Sequence, residues 1–382
     1  MDNNNKQIKN LLCGLAATTN PLFLVSEMIF SEWPKVRKLV QRKEKTVNVN
    51  EELFGKNKYD GIEFMLVGVF DNDWNIRPDK IESYKKSKVL AYSFHGCYEN
   101  FPKRYKNIYL NLATEESSVI KKAIHSHIEA VARLQKEKSV LVFHPGIIRK
   151  GNNRKKAFEN VINNLKANLD YAKEKNVIVC IENMSWGWGS GIEPFCNEAE
   201  DLKYILNKIN HSNLKIIFDW GHLNSCLMRS EFRNRYYKDN EDCLDFRHIK
   251  DFVNILGKEI VHAHIHYNRC HLPKYKKFKK ILFKKYFIYL IFWTNFSKFI
   301  RKEKNKYFYD EHLPLDKITG KYRKGFEDSI NYLLDKSSIR EYGFITHEYT
   351  NKKVFRLLSL TKNGLYDGYL ESLQIFKDMI RS

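Results

Sequence analysis

Eight short apolar runs separated by segments of helical period predict an α/β fold, a closed (β/α)8 TIM barrel with a basic, aromatic-rich insertion after its seventh strand. Three observations carry this. The runs are continuous rather than alternating, as in strands buried on both faces of a parallel sheet. Their number is eight, which closes a barrel, whereas a doubly wound open sheet is the alternative. Six consecutive runs, the third to the eighth, end in a side chain able to bind a metal.

The strand runs are Leu11 to Ala17, Tyr59 to Val67, Val89 to Phe94, Val140 to Phe143, Val177 to Ile181, Leu214 to Phe218, Ile260 to Ile265, and Phe344 to Glu348. Residues 24–41 are helix-compatible, and Val119 to Leu134 has helical period. Arg154 to Lys173 is clearer, with Ala157, Phe158, Val161, Ile162, Leu165, Leu169 and Ala172 on one face. Glu198 to Ile209, Phe246 to Leu256, Phe326 to Leu334 and Tyr369 to Ile380 complete the helices. Residues 1–382 are therefore expected to form a single domain, with 1–10 a frayed polar terminus.

A chain of 382 residues can bury a large core without disulfides, and its seven cysteines are scattered, odd in number and free of any CxxC pair. That pattern reads as reduced thiols in the cytoplasm. Residues 11–25 are apolar but contain Thr18-Thr19-Asn20-Pro21 and lack a strongly basic start, which argues against a secretory leader. The formal charge of +21 is localised: residues 269–306 hold 13 Lys/Arg against one acid, Glu303, and the rest of the chain shares +9. The basicity is mostly a property of one loop, not a nucleic-acid signature of the whole surface.

Chemistry in such a barrel sits at the C-terminal ends of the strands. The third strand ends in His95, the fourth in His144 and the fifth in Glu182. The sixth supplies Asp219 and His222, the seventh His264 and the eighth Glu348. Each alone would more often be a capping or core residue. Recurrence over six strands predicts a metal centre, because Asp, Glu and neutral His are ligands for zinc, manganese or iron. Asp310 and His312 are two apart and point the same way if that piece is extended. His262, His264 and His266 share one strand face, so the register of this run is open.

The motifs FHG (94–96), FHPG (143–146), IENM (181–184), FDWGH (218–222), HIH (264–266), DEH (310–312) and THE (346–348) come in an order that resembles the xylose-isomerase-like barrels. These include endonuclease IV and the sugar-phosphate isomerases and epimerases. The resemblance covers about residues 55–380 apart from the insertion. Likeness to endonuclease IV implies that His95, His144 and Glu182 hold a first zinc ion. It implies that Glu182 bridges to a second on Asp219, His264 and Glu348, and that His222, Asp310 and His312 hold a third. The isomerase branch implies one metal on Glu182, Asp219, His264 and Glu348, and its glutamates also move protons. His266 and Asn183 are expected to bind substrate. The chain departs from endonuclease IV in its DGIE opening (60–63), its DWGH in place of DTCH, and its want of recognisable DNA-penetrating loops.

The trinuclear reading implies hydrolysis of a phosphoester or phosphodiester, with Glu182 bridging metals and helping to position the nucleophilic water. The single-metal reading implies isomerisation or epimerisation of a sugar, with Glu182 and Glu348 catalytic in exchanging protons with adjacent carbons. A third alternative is a barrel that only binds a ligand. The insertion places Lys276, Lys277, Lys279, Lys280, Lys284 and Lys285 before an uncharged run, Tyr286 to Trp293, too short for the ~20 residues of a membrane span. It suits a helical lid or a contact in a homo-oligomer, a peripheral helix on an anionic membrane, or a nucleic-acid backbone.

Overall fold

The barrel closes. A computed structural model describes residues 12–17, 61–66, 68–85, 91–97, 110–135, 139–149, 151–186, 192–193, 195–238, 241–271, 313, 315–342, 344–348 and 369–381. Its strands are β1 (Leu12–Ala17), β2 (Gly61–Met65), β3 (Ala91–His95), β4 (Ser139–Phe143), β5 (Val177–Glu182), β6 (Leu214–Asp219), β7 (Ile260–Ile265) and β8 (Phe344–His347). They pair in parallel in sequence order. β8 returns to β1 with Leu12 opposite Phe344, and β1 meets β2 with Gly14 opposite Gly61. Every strand therefore ends at the same rim.

Alternation along the strands separates two apolar sets. Leu141, Phe143, Val179, Ile181, Ile216, Phe218 and Ile265 pack with helix residues such as Ile124, Val161, Leu202 and Val253. Val140, Val142, Ile178, Cys180, Ile217 and Val261 pack chiefly with one another and fill the lumen. The same alternation carries Glu182 and Asp219 inward, two residues beyond Cys180 and Ile217.

Two register shifts decide what else faces the lumen. Between β6 and β7, Ile216 lies opposite Ile260 but Ile217 lies opposite His262, so Val261 is an extra residue. Beyond this bulge Ala263 and Ile265 pack outward, and His262 and His264 turn inward. Between β2 and β3, Ile62 lies opposite Ala91 and Glu63 opposite Ser93, which leaves Tyr92 extra.

The outer layer contains α1 (Pro78–Lys85), α2 (Ser118–Leu134), α3 (Arg154–Lys166), α4 (Leu169–Glu174), α5 (Ala199–Ile209), α6 (Trp220–Ser225), α7 (Ser230–Tyr236), α8 (Arg247–Leu256), α9 (Lys321–Lys336), α10 (Ile339–Tyr342) and α11 (Tyr369–Arg381). Ser117 and Asn153 cap α2 and α3 by accepting the amides of Ile120 and Lys156. The single helix predicted over Arg154 to Lys173 is broken. Asn168 leaves the helical region (φ −123°, ψ 0°), and its side-chain Nδ2 donates to the Lys121 carbonyl of α2. The short helices α1, α6, α7 and α10 carry too few turns for periodicity to reveal them. The helix expected over 24–41 and the insertion beyond His271, with its six lysines, lie outside the described residues. No helix among the described residues is long and apolar enough to cross a membrane.

His127 on α2 is wholly buried against Phe70, Trp74 and Phe143. Its Nδ1 donates to the Ala123 carbonyl, 2.7 Å away, and its Nε2 accepts the Cys97 amide at 3.0 Å. Both nitrogens are satisfied only in the neutral ring, and burial pushes its pKa down from 6.5 to about 4. Below pH 6.5 the unfolded chain takes up a proton that folded His127 refuses, so stability is lost as pH falls from 6.5 to 4. That interval corresponds to about 3 kcal/mol. Urea titrations between pH 7.5 and 4.5 are expected to show a steeper loss for the parent chain than for His127→Gln. Parallel losses would exclude this role.

Candidate metal centre

Glu182 closes β5 with its side chain buried in the lumen. Its two oxygens face different neighbours. Oε2 stands 3.5 Å from His95 Nε2 and 3.4 Å from His144 Nε2. Oε1 stands 3.1 Å from His222 Nδ1 and 3.3 Å from His264 Nδ1. His264 Nδ1 also lies 3.4 Å from Glu348 Oε2 and 3.8 Å from Asp219 Oδ2. The two groups expected from the strand ends are thus each within 4.8 Å: His95, His144 and Glu182, and Glu182, Asp219, His264 and Glu348.

His222 keeps different company. With Asp219 and His266 it forms a third group, whereas Asp310 and His312 lie outside the described residues. His266, an expected substrate contact, is fully buried, with Nε2 3.1 Å from Asp219 Oδ1. Asn183, the other expected substrate contact, turns its side chain onto the Asp219 backbone. Its amide donates to the Asp219 carbonyl (2.9 Å) and accepts the Asp219 amide (2.7 Å), clasping the backbone that presents the carboxylate.

The motif glycines serve close approach. At Gly146 φ is +110°, and a Cβ there would fall 2.0 Å from Asn111 Oδ1, the atom that accepts the amides of Ala113 and Ile147. At Gly221 a Cβ would fall 1.9 Å from His266 Cε1 and 2.4 Å from both ring nitrogens. In the same turn Asp219 caps α6 by accepting the His222 amide (2.6 Å), and Trp220 anchors it through Nε1–H to Ser329 Oγ and packing on Phe246 and Phe326.

The residues fit a divalent cation. Burial raises the pKa of Glu182, but His264, His144 and His222 outweigh it and hold the carboxyl well below its ordinary value. Burial likewise raises Asp219, and His222 and His266 more than reverse it. For His264 burial lowers the pKa, but the Glu63 and Glu182 carboxylates hold it well above the ordinary value. A pocket that draws charge onto a buried imidazole between carboxylates demands positive charge. Glu182 Oε2 and Asp219 Oδ2 are buried without a hydrogen-bond partner among the described residues, each worth about 1–3 kcal/mol of lost solvation. Two ligand atoms about 2.1 Å from one tetrahedral ion stand roughly 3.4 Å apart. The His–Glu separations of 3.3 to 3.5 Å match that spacing.

One residue was missed. Glu63, in the DGIE opening, is 3% exposed, and its carboxylate reaches His262 and His264 across the lumen. An acid in the middle of a short strand was the available signal.

Divalent metal is expected to raise the thermal midpoint relative to protein treated with EDTA. A free ion at 100 times its Kd contributes about 2.7 kcal/mol. The gain should shrink from pH 7.5 to 5.5, as protons compete for the imidazoles. A midpoint indifferent to metal at pH 7.5 would refute the centre. Gly221→Ala sets a helix-propensity gain of about 1 kcal/mol against overlap with the His266 ring. The overlap should win, lowering both the midpoint and metal uptake, and an unchanged variant would show that His266 is free to move.

Residues 54–308, more than half of the chain, match the family model of the xylose isomerase-like TIM barrel. No curated protein matches the sequence. Among solved structures, a xylose-isomerase candidate from Rhodospirillum rubrum is 12% identical with a TM-score of 0.52, covering 84% of this chain and 89% of its own. D-psicose 3-epimerase, crystallised in the presence of D-fructose, is 13% identical with a TM-score of 0.50, covering 85% and 91%. An AP endonuclease of family 2 from Brucella melitensis is 12% identical with a TM-score of 0.42, covering 67% and 78%. At these identities the first two likenesses speak to the fold alone. The family match, on a closed barrel whose strand ends converge on Glu182, makes this chain a member of the xylose isomerase-like TIM barrel family.

Proposed function

We propose that this chain is a metal-dependent hydrolase of phosphoester or phosphodiester bonds, built on more than one divalent ion sharing Glu182. The observation that carries the reading is the division of Glu182 between two ligand sets, His95 and His144 beside Oε2, and His264, with Asp219 and Glu348, on the side of Oε1. An isomerase using one ion on Glu182, Asp219, His264 and Glu348 leaves His95 and His144 without a ligand role. When bound, such ions neutralise phosphate oxygens and bring the pKa of water toward neutrality.

The chain's own residues supply the rest. Glu182 keeps its charge at the centre of the ligand shell, and Asn183 and Gly221 hold Asp219 and His266 in register with it. Glu348 is the most accessible member of its group, its side chain 15% exposed just beyond β8. In this reading Glu348 accepts a proton from an attacking water.

A second reading is sugar isomerisation or epimerisation. It is favoured by Glu182 and Glu348 sharing one four-residue group with Asp219 and His264. There the two carboxylates would exchange protons with adjacent carbons.

Metal-loaded protein assayed on bis(4-nitrophenyl) phosphate and on a panel of ketoses separates the two. Phosphodiester cleavage is expected, falling about 100-fold or more in His144→Ala. Ketose conversion undiminished in His144→Ala, without nitrophenolate release by the parent, would replace the hydrolase reading with the isomerase.

A further inference from the structure

Glu63 sits behind the metal centre, on the far side of His264 from Glu182. Its Oε1 is 2.7 Å from His264 Nε2, and its Oε2 is 2.9 Å from His262 Nε2. Ser93 Oγ donates to Oε2 at 2.8 Å, from the residue paired with Glu63 across the β2–β3 ladder. β2 and β7 are not neighbours in the sheet, so these bonds cross the lumen.

The spacing says which kind of contact this is. Atoms around one tetrahedral ion stand roughly 3.4 Å apart, whereas charge-assisted N–H···O bonds run about 2.7–2.9 Å. The Glu63 contacts belong to the second class. The contacts of His264 Nδ1, at 3.3 Å to Glu182 and 3.4 Å to Glu348, belong to the first. A carboxylate only accepts, so His264 keeps a proton on Nε2, and in the neutral ring that a bound metal requires Nδ1 presents a lone pair to the metal position. His262 and Ser93 bind the other oxygen of Glu63 and keep the carboxylate plane from turning away.

We propose that Glu63 is the positioning residue of His264: it fixes the Nε2–H tautomer and the ring orientation, and so sets the affinity of the metal position formed with Glu182, Asp219 and Glu348. This rests on the metal-centre reading above. It holds whether the ions serve hydrolysis or isomerisation.

The test is zinc affinity of the full-length chain by competition with a chromophoric chelator, for the parent, Glu63→Gln, His264→Ala and the double variant. Visible spectra of the cobalt(II)-loaded proteins accompany it. Glu63→Gln is expected to weaken one zinc position about 10- to 100-fold and to shift the cobalt bands. In the His264→Ala background it should weaken nothing further. Equal affinity of Glu63→Gln and parent, or additive losses in the double variant, would overturn the assignment while leaving the metal centre standing. No zinc on the parent would overturn both. If Glu63→Gln does not fold, Ser93→Ala decides: a several-fold loss supports the assignment, and unchanged affinity overturns it.

Discussion

The ionised carboxylate of Glu182, buried at the barrel mouth and ringed by the imidazoles of His95, His144, His222 and His264, is the constraint on which the rest of the site depends. A carboxylate removed from water is costly unless positive charge and hydrogen bonds offset the loss. Its partners come from the ends of β3, β4, β6 and β7, so the compensation exists only while those strands keep their stagger around the closed barrel. Stability and chemistry therefore share one requirement, the register of the sheet.

The lumen holds three sets of side chains. Val140, Val142, Ile178, Cys180, Ile217 and Val261 form an apolar plug. Glu63 joins His262 and His264, and Glu182, Asp219 and His264 form the cluster with Glu348 at its accessible edge. His264 belongs to both polar sets, one ring nitrogen to each. The apolar plug lowers the local dielectric, which strengthens every paired charge in the lumen and makes any unpaired one expensive. That is the physical reason for a site in which so many groups are held by two or three others.

The motifs divide by role once the geometry is known. In FDWGH, Asp219 presents its carboxylate, Trp220 anchors the turn in the outer core, Gly221 makes room for His266, and His222 faces Glu182. In FHPG, the glycine adopts a backbone conformation that other residues avoid and lets Asn111 tie down the loop after His144. In IENM, Asn183 supports Asp219 on the neighbouring strand.

Much of this was legible in the chain. Continuous apolar runs marked every barrel strand, because strands covered on both faces admit few polar residues, and the polar residue ending each run identified His95, His144, Glu182, Asp219 and Glu348. The short helices, and the break at Asn168, were not legible, since both depend on contacts with other elements. The partners of His262, His264 and His266 could not be read either. Period-two alternation puts all three on one face, but the bulge at Val261 and the curvature of the sheet decide that the first meets Glu63, the second Glu63 and Glu182, and the third Asp219. Glu63 escaped notice for the same reason: its role lies in atoms 199 and 201 residues away in the chain. The sequence by itself determined the barrel and the chemical kinds of side chain at its mouth, because burial and alternation are local properties of a strand. Only the tertiary structure decided which atom faces which, because register across a closed sheet is a property of all its strands together.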